Sequence, residues 1–190
     1  MEITTTLDPK TRRAWRAWLD SQHRQAKEIW LLLRREEPMT ITYLDAVEEA
    51  LCFGWIDGIA KRYGDGVLAQ RFTPRRPRSH WTELNKERAR RMLAAGQMTE
   101  AGRLVLPDLS DTEPRLPEDI RARLQAHPGA WEAFSAFPPL YQRVRISYVD
   151  EVRKSNPGEW EKRLRHLVTR SARNEKFGNW DDSTLPRSDP

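Results

Sequence analysis

The sequence has only one cysteine and no long hydrophobic run. A single cysteine cannot form an internal disulfide, and a chain without disulfides is typical of a reducing compartment. No segment approaches the roughly 18 consecutive apolar residues of a membrane-spanning helix. The polar segment Met1–Lys10 also lacks the apolar core of a secretory signal. These absences predict a cytoplasmic protein that does not insert into a membrane.

The sequence also lacks the motifs of well-known catalytic and cofactor sites. It has no phosphate-binding glycine loop, no nucleophile elbow and no HExxH. Its four histidines are scattered, and none lies at ligand spacing from a cysteine or a carboxylate. Cys52 has no histidine close in sequence to act as its base, which favours a buried hydrophobic role over a catalytic thiol. We therefore expect no metal, no cofactor and no catalytic residue.

What the sequence has instead is charge and tryptophan. Charged residues make up 32% of its 190 residues, hydrophobic residues 38%, and it contains eight tryptophans, whose large apolar area supports a folded core. The net charge is +5, and the window Arg71–Arg91 holds eight Lys and Arg against two Glu. A basic patch indicates an anionic partner, such as nucleic acid or a phosphorylated ligand. The alternative is an ordinary solvated surface.

Cap and turn signals divide the first half of the chain into helices and strands. We predict a first helix over 8–27, capped by Asp8. The apolar run 28–33 has the length of a buried strand, although a helix extension fits as well. A second helix begins after Thr42, which can act as its cap, and ends at Gly54.

A β-hairpin and a third helix follow. Ile56–Arg62 and Val67–Thr73 are predicted strands, joined by the turn signal Tyr63–Gly66. The third helix covers about 82–95. The predicted fold is α+β: a small antiparallel sheet built around the hairpin at about 56–73, joined by 28–33 if that run is a strand, covered by helices and followed by a helical C-terminal segment.

Prolines mark the domain organisation. The segment 107–118 is rich in proline and acidic residues, which is typical of a linker. Beyond it the pattern predicts four helices separated by prolines, and the last residues are polar. We therefore predict an α+β core domain over 1–106, a linker over 107–118, a helical segment over 119–177 and a disordered tail over 178–190.

An ordered set of sequence blocks resembles the YdeI/OmpD-associated family, also labelled bacteriocin-protection or OmdA-like. The blocks are Ala50–Gly58, Arg71–Arg76, Ser79 with Trp81 and Asn85, and Gly96–Gly102. The resemblance covers about 10–106 well and extends more loosely along the C-terminal helices, where this sequence departs from the family. It implies a broadly uncharacterised protein whose family is named for envelope stress and a porin, and it brings no catalytic residues.

The candidate site joins the end of the hairpin to the next helix. Prolines on either side of Arg75 and Arg76 stiffen the loop, and guanidinium forks suit phosphate or carboxylate. A helix start near Ser79 favours an anion as well. Asp57 would orient these arginines through an ion pair or act as a general base. The predicted anion- or nucleic-acid-binding residues are Asp57, Arg71, Arg75, Arg76, Arg78, Ser79, Trp81 and Asn85, with Trp81 able to stack on a base or to belong to the core.

Three functions remain open at this point. The first is a non-enzymatic basic module that binds an anion, most plausibly nucleic acid, with a role in stress tolerance. The second is an enzyme or sensor for a small phosphorylated ligand, clamped by Arg75 and Arg76. The third is a protein-interaction module that uses its tryptophans. A second basic region, Arg143–Lys176, would extend an electrostatic footprint or form a solvated helix face. The sequence indicates no oligomeric state.

Overall fold

The computed structural model describes residues 2–34, 41–76 and 79–182. These residues form an α+β fold, as predicted, with four strands and eight helices. In chain order these elements are β1 (Thr6–Leu7), α1 (Arg12–Gln22), β2 (Ile29–Arg34), α2 (Tyr43–Cys52), β3 (Trp55–Gly64), β4 (Val67–Pro74), α3 (Glu83–Ala94), α4 (Glu100–Arg103), α5 (Glu118–Gln125), α6 (Ala130–Ala136), α7 (Pro139–Asp150) and α8 (Pro157–Ala172).

The described chain divides into two compact units. The first unit contains the residues up to His80 together with 87–107, and the second contains 81–86 and 108–182. The segment predicted to be a linker has neither helix nor strand before α5 begins at Glu118. The domain boundaries that the sequence suggests stay a prediction. Most of the tail predicted to be disordered, 183–190, lies outside the described residues.

The sheet of the first unit has the strand order β1-β2-β4-β3. β3 and β4 form the predicted hairpin, and β4 also pairs antiparallel with β2. The run 28–33 is therefore a strand, and it lies inside the sheet rather than extending a helix. β1 pairs parallel with β2, so the sheet is mixed and not purely antiparallel as predicted. The reason is the connection through α1, which returns the chain in the same direction.

The first helix is shorter than predicted at both ends. α1 begins after Thr11, whose Oγ1 accepts a hydrogen bond from the backbone N–H of Ala14. The prediction that Asp8 caps this helix is wrong, because its carboxylate instead accepts hydrogen bonds from Lys10 and from Arg34 at the end of β2. Because the sheet places Arg34 next to Asp8, the carboxylate pairs with this arginine and not with backbone N–H groups at the start of α1.

The second helix matches the prediction closely. The Thr42 hydroxyl accepts a hydrogen bond from the Asp45 N–H, which caps α2, and it donates one to the Asp45 carboxylate. Gly54 follows the end of α2 with a φ of +75°, a conformation that favours glycine. The tight turn at Gly54 leads directly into β3.

Four helices build the core of the second unit. α5, α6, α7 and α8 lie within a residue or a few residues of the predicted bounds. Their fully buried residues form one cluster, which includes Ile120, Leu124, Phe134, Tyr141 and Leu164. α7 differs from a simple amphipathic helix, because Arg143 and Arg145 are buried beside its apolar residues. Within the described residues, no helix is long and apolar enough to cross a membrane.

Candidate functional site

Arg71, the first predicted site residue, is bound by a neighbouring carboxylate. Its Nε donates to Glu28 Oε2 at 2.8 Å, and Glu28 also accepts a hydrogen bond from the Thr4 hydroxyl. These interactions lower the pKa of Glu28, the Thr4 hydrogen bond having the largest effect and Arg71 the next. The charge of Arg71 is therefore compensated on the sheet, away from the loop that follows β4.

Arg75 lies at the end of the hairpin, but the loop does not display it. Its residue is only 6% exposed, and its Nη1 donates to Ser79 Oγ at 3.3 Å and to the His80 carbonyl at 3.2 Å. Burial lowers the pKa of Arg75 to about 10, and the charge of Asp57 opposes that shift. The chain folds the Arg75 side chain inward onto its own backbone, beside Asp57, which agrees with the interpretation that Asp57 orients this arginine.

Asp57 connects Arg75 to two further side chains. The Tyr43 hydroxyl donates to Asp57 Oδ2 at 2.7 Å. Burial, and after it the Asp57 charge, raise the pKa of Tyr43, whereas Arg88, which hydrogen-bonds the phenol oxygen, opposes this rise. Arg88 is itself buried, at 5% exposure. We call Tyr43, Asp57, Arg75, Ser79 and Arg88 the Asp57 cluster; all five lie in the first unit.

The other predicted residues are not part of this cluster. Arg76 is exposed, and Arg78 lies outside the described residues. Trp81 and Asn85 belong to the second unit and are both buried, so Trp81 fits its core interpretation better than an open stacking platform. The backbone N–H of Asn85 donates to the Thr82 hydroxyl, which caps α3.

Tyr43 and Arg88 are the cluster residues that the sequence reasoning missed. Arg88 could have been found from the helical spacing of α3, because it shares the buried face of that helix with Ala89 and Met92. Tyr43 carries no comparable signal. It follows the helix cap at a position that periodicity assigns to solvent, and its ring is indeed partly exposed.

Comparison with known families divides the chain in a similar place. Residues 7–105, more than half of the chain, match the family model described as a domain of unknown function (DUF8412). The chain belongs to this family. Residues 113–174 match the model described as Bacteriocin-protection, YdeI or OmpD-Associated. No curated protein and no solved structure matches the chain.

The resemblance to the YdeI/OmpD-associated family is confirmed, but on a different part of the chain. The sequence blocks that suggested it lie in the DUF8412 domain, whereas the match covers α5 to α8. The family model thus matches the C-terminal helices, along which the sequence shows only a loose resemblance. Neither family description states a ligand or an activity.

A second polar cluster in the DUF8412 domain lies on α2. Asp45, Glu48 and Glu49 are almost fully buried, and Arg12 of α1 contacts all three carboxylates, at 2.7, 3.2 and 2.6 Å. Arg16 also binds Glu49, and Arg91 also binds Glu48. Because arginines surround these carboxylates, the cluster is organised as an ion-pair network. Within the described residues, no group of three or more possible ligands could hold a metal ion.

Cys52 lies beside this network and gives a direct test of the fold. The residue is fully buried, and burial, reinforced by Glu49, raises its pKa to about 12. Since the thiolate is the reactive form, we expect a thiol reagent at pH 8 to leave the native protein unlabelled and to label one thiol in denaturant. Rapid labelling of the native protein, followed by absorbance, would contradict the buried position.

Several arginines of the basic region Arg143–Lys176, in the YdeI/OmpD-associated segment, are paired with acidic partners. Arg153 pairs with Asp119 and Asp150, and Arg163 pairs with Glu151 and Glu159. Further pairs join Arg143 to Glu83 and Arg170 to Glu175. This pattern supports a solvated, ion-paired surface more than a continuous track for a polyanion.

Proposed function

We propose that the DUF8412 domain is a non-enzymatic module that binds a small anion, with phosphoryl or carboxylate groups, at the Asp57 cluster. One observation carries the proposal: the buried guanidinium of Arg75 and that of Arg88 both lie beside the Tyr43–Asp57 pair. Guanidinium groups bind phosphate and carboxylate oxygens through paired hydrogen bonds. Attraction between opposite charges is also stronger at a partly buried site than in water.

The same geometry favours a small ligand over nucleic acid. A nucleic-acid backbone needs a row of exposed cations, because its affinity comes from many phosphate contacts. In the hairpin region, Arg71 is paired with Glu28 and Arg75 is buried, which leaves Arg76 as the exposed arginine among these three. A small anion needs only two converging guanidinium groups and a hydroxyl.

Each member of the cluster has a distinct part in this proposal. Arg75 and Arg88 supply positive charge and N–H donors, and Ser79 supplies a hydroxyl. Asp57 accepts the Tyr43 hydrogen bond and attracts Arg75, so it positions both side chains. The negative charge of Asp57 would repel an anion that came close to it. This repulsion favours a ligand small enough to contact the arginines without approaching the carboxylate.

The biological setting is part of the proposal as well. A role in stress tolerance follows from the label Bacteriocin-protection carried by the family that matches 113–174. The proposed location is the cytoplasm.

The test is a thermal-shift and calorimetric titration of the full chain with inorganic phosphate and with pyrophosphate. Saturable binding should raise the melting temperature, and a ligand at about 100 times its Kd adds about 2.7 kcal/mol to the free energy of unfolding. Arg75→Lys should weaken binding about tenfold, because lysine keeps the charge and loses the bidentate fork. Since each variant is compared with and without ligand, its own stability cancels.

Arg76→Lys is the matched control, because it changes the adjacent, exposed arginine in the same way, and it should bind like the wild type. Short single- and double-stranded oligonucleotides are titrated in parallel. Salt-sensitive oligonucleotide binding that depends on Arg76 and not on Arg75 would replace this proposal with the nucleic-acid one. The proposal would be overturned if the wild type bound neither phosphate nor pyrophosphate. It would also be overturned if Arg75→Lys and Arg76→Lys lost the same amount of affinity.

A further inference from the structure

A short segment after α8, Phe177–Trp180, lies against the second unit although it forms neither helix nor strand. The Phe177 ring packs on His166 and Tyr141, with centroids 4.4 and 6.3 Å apart, and the Trp180 ring packs on Tyr141 at 5.6 Å. Tyr141 is fully buried, whereas Phe177 and Trp180 are half-buried. We call Phe177–Trp180 the C-terminal strap, because its two rings cover Tyr141.

One arginine of α7 holds the strap. Arg145 is 6% exposed, and its Nη2 donates to the Asn179 carbonyl at 2.7 Å. Its guanidinium also lies over the rings of Phe177, Tyr148 and Tyr141, at 5.0, 5.4 and 5.8 Å. Among the described ion pairs none includes Arg145, so aromatic faces and one carbonyl accommodate its charge. Burial lowers the pKa of Arg145.

Gly178 lets the strap pass this arginine. Its φ is +65°, and a Cβ atom there would lie 2.6 Å from Arg145 Nη1. Any other residue would therefore be strained in its backbone and would displace the guanidinium. The contact between strap and arginine thus depends on one glycine and one cation.

We propose that the C-terminal strap is a reversible closure over Tyr141, fastened by Arg145, which opens while the helices of the second unit stay folded. Within the described part of the chain, Lys176–Trp180 makes no backbone–backbone hydrogen bond, whereas α7 and α8 are hydrogen-bonded throughout. Segments with few buried contacts and few backbone hydrogen bonds open at lower free energy than helices. Opening uncovers the Tyr141 ring and turns a closed core into an accessible aromatic surface.

Limited chymotrypsin digestion of the full chain, read by mass spectrometry for cleavage after Phe177 and Trp180, tests this closure, and hydrogen exchange of α7 and α8 reports whether the helices stay folded. In the wild type the strap should be cleaved, more slowly than a free peptide of the same sequence, while α7 and α8 keep their protection from exchange. Arg145→Met should increase the rate of strap cleavage about tenfold, relative to that peptide, with α7 and α8 still protected. Gly178→Ala should do the same, because it disturbs the same contact from the strap side. Arg163→Met is the control: Arg163 also lies over Tyr148, at 4.0 Å, and its hydrogen bonds in the described part of the chain go to Glu159, Glu151 and the Tyr148 carbonyl.

Three results would overturn the proposal. Cleavage of the wild-type strap only under conditions where α7 and α8 also lose their protection would show that the strap is an inseparable part of the core. An unchanged rate of strap cleavage in Arg145→Met would show that the arginine does not fasten it. Unfolding of the whole unit in both Arg145→Met and Gly178→Ala would show that the segment cannot open by itself.

Discussion

Arg12→Met should lower the free energy of unfolding by about 3 kcal/mol, because it removes the cation from a buried charge network. The Arg12 guanidinium contacts Asp45, Glu48 and Glu49, and these carboxylates are no more than 2% exposed. In the variant, Arg16 and Arg91 remain to compensate three buried negative charges. Methionine keeps much of the length of the side chain, so the loss reports charge more than volume.

Differential scanning calorimetry of the full chain measures this loss. Arg13→Met is the matched control, because Arg13 is the exposed neighbour on α1 and should change stability by no more than about 0.5 kcal/mol. A loss below about 1 kcal/mol at neutral pH would contradict the role of Arg12.

Gly102→Ala should destabilise the protein by about 3 kcal/mol, because α4 packs against the end of α2 without room for a side chain. A Cβ atom at Gly102 would lie 2.5 Å from Met98 Sδ and 2.8 Å from the Cys52 carbonyl carbon. The Cys52 oxygen accepts hydrogen bonds from the backbone N–H and the hydroxyl of Thr99. Moving α4 away to relieve the clash would therefore break these hydrogen bonds as well.

Gly158→Ala is the control for this substitution. Gly158 lies in the first turn of α8, and a Cβ atom there meets only Asn156 Oδ1, at 3.7 Å. Alanine should therefore stabilise the helix, by up to about 1 kcal/mol, because it loses less backbone entropy on folding. Calorimetric melts of both variants should move in opposite directions. A Gly102→Ala protein as stable as the wild type would contradict the close approach of α4 to α2.

The contact between α2 and α4 also explains two of the sequence blocks. Gly54 follows α2, and a Cβ atom there would lie 2.9 Å from the Ala101 carbonyl oxygen. Gly54, just after α2, and Gly102, in α4, therefore lie on the two sides of the same contact. The blocks Ala50–Gly58 and Gly96–Gly102 belong together because the fold packs them against each other, which is a structural reason and not a catalytic one.

Local signals predicted the elements of this protein well. The apolar run of β2, the hairpin of β3 and β4 and the Thr42 cap of α2 all depend on residues a few positions apart. Such patterns reflect backbone geometry and side-chain spacing, which do not require knowledge of distant partners. The α+β class follows from the same elements.

The site was predicted in part, because its chemistry depends on residues far apart in sequence. Sequence reasoning singled out Asp57, Arg75 and Ser79, which the fold brings together, but it did not state how deeply Arg75 is buried and it left out Tyr43 and Arg88. No local pattern states how deeply a loop arginine is buried. Burial follows from which elements pack over it, and so does the effect of its neighbours on its pKa.

The arginine-rich stretch illustrates this division most clearly. Composition establishes that the window 71–91 is basic, and cap signals establish that a helix begins within it. Its charges acquire their roles only in the folded protein: Arg71 binds Glu28 of the neighbouring strand region, Arg75 lies beside Asp57, and Arg91 binds Glu48. A charge count sums over a chain, whereas an ion pair needs two groups within a few ångström, and tertiary packing alone sets that distance.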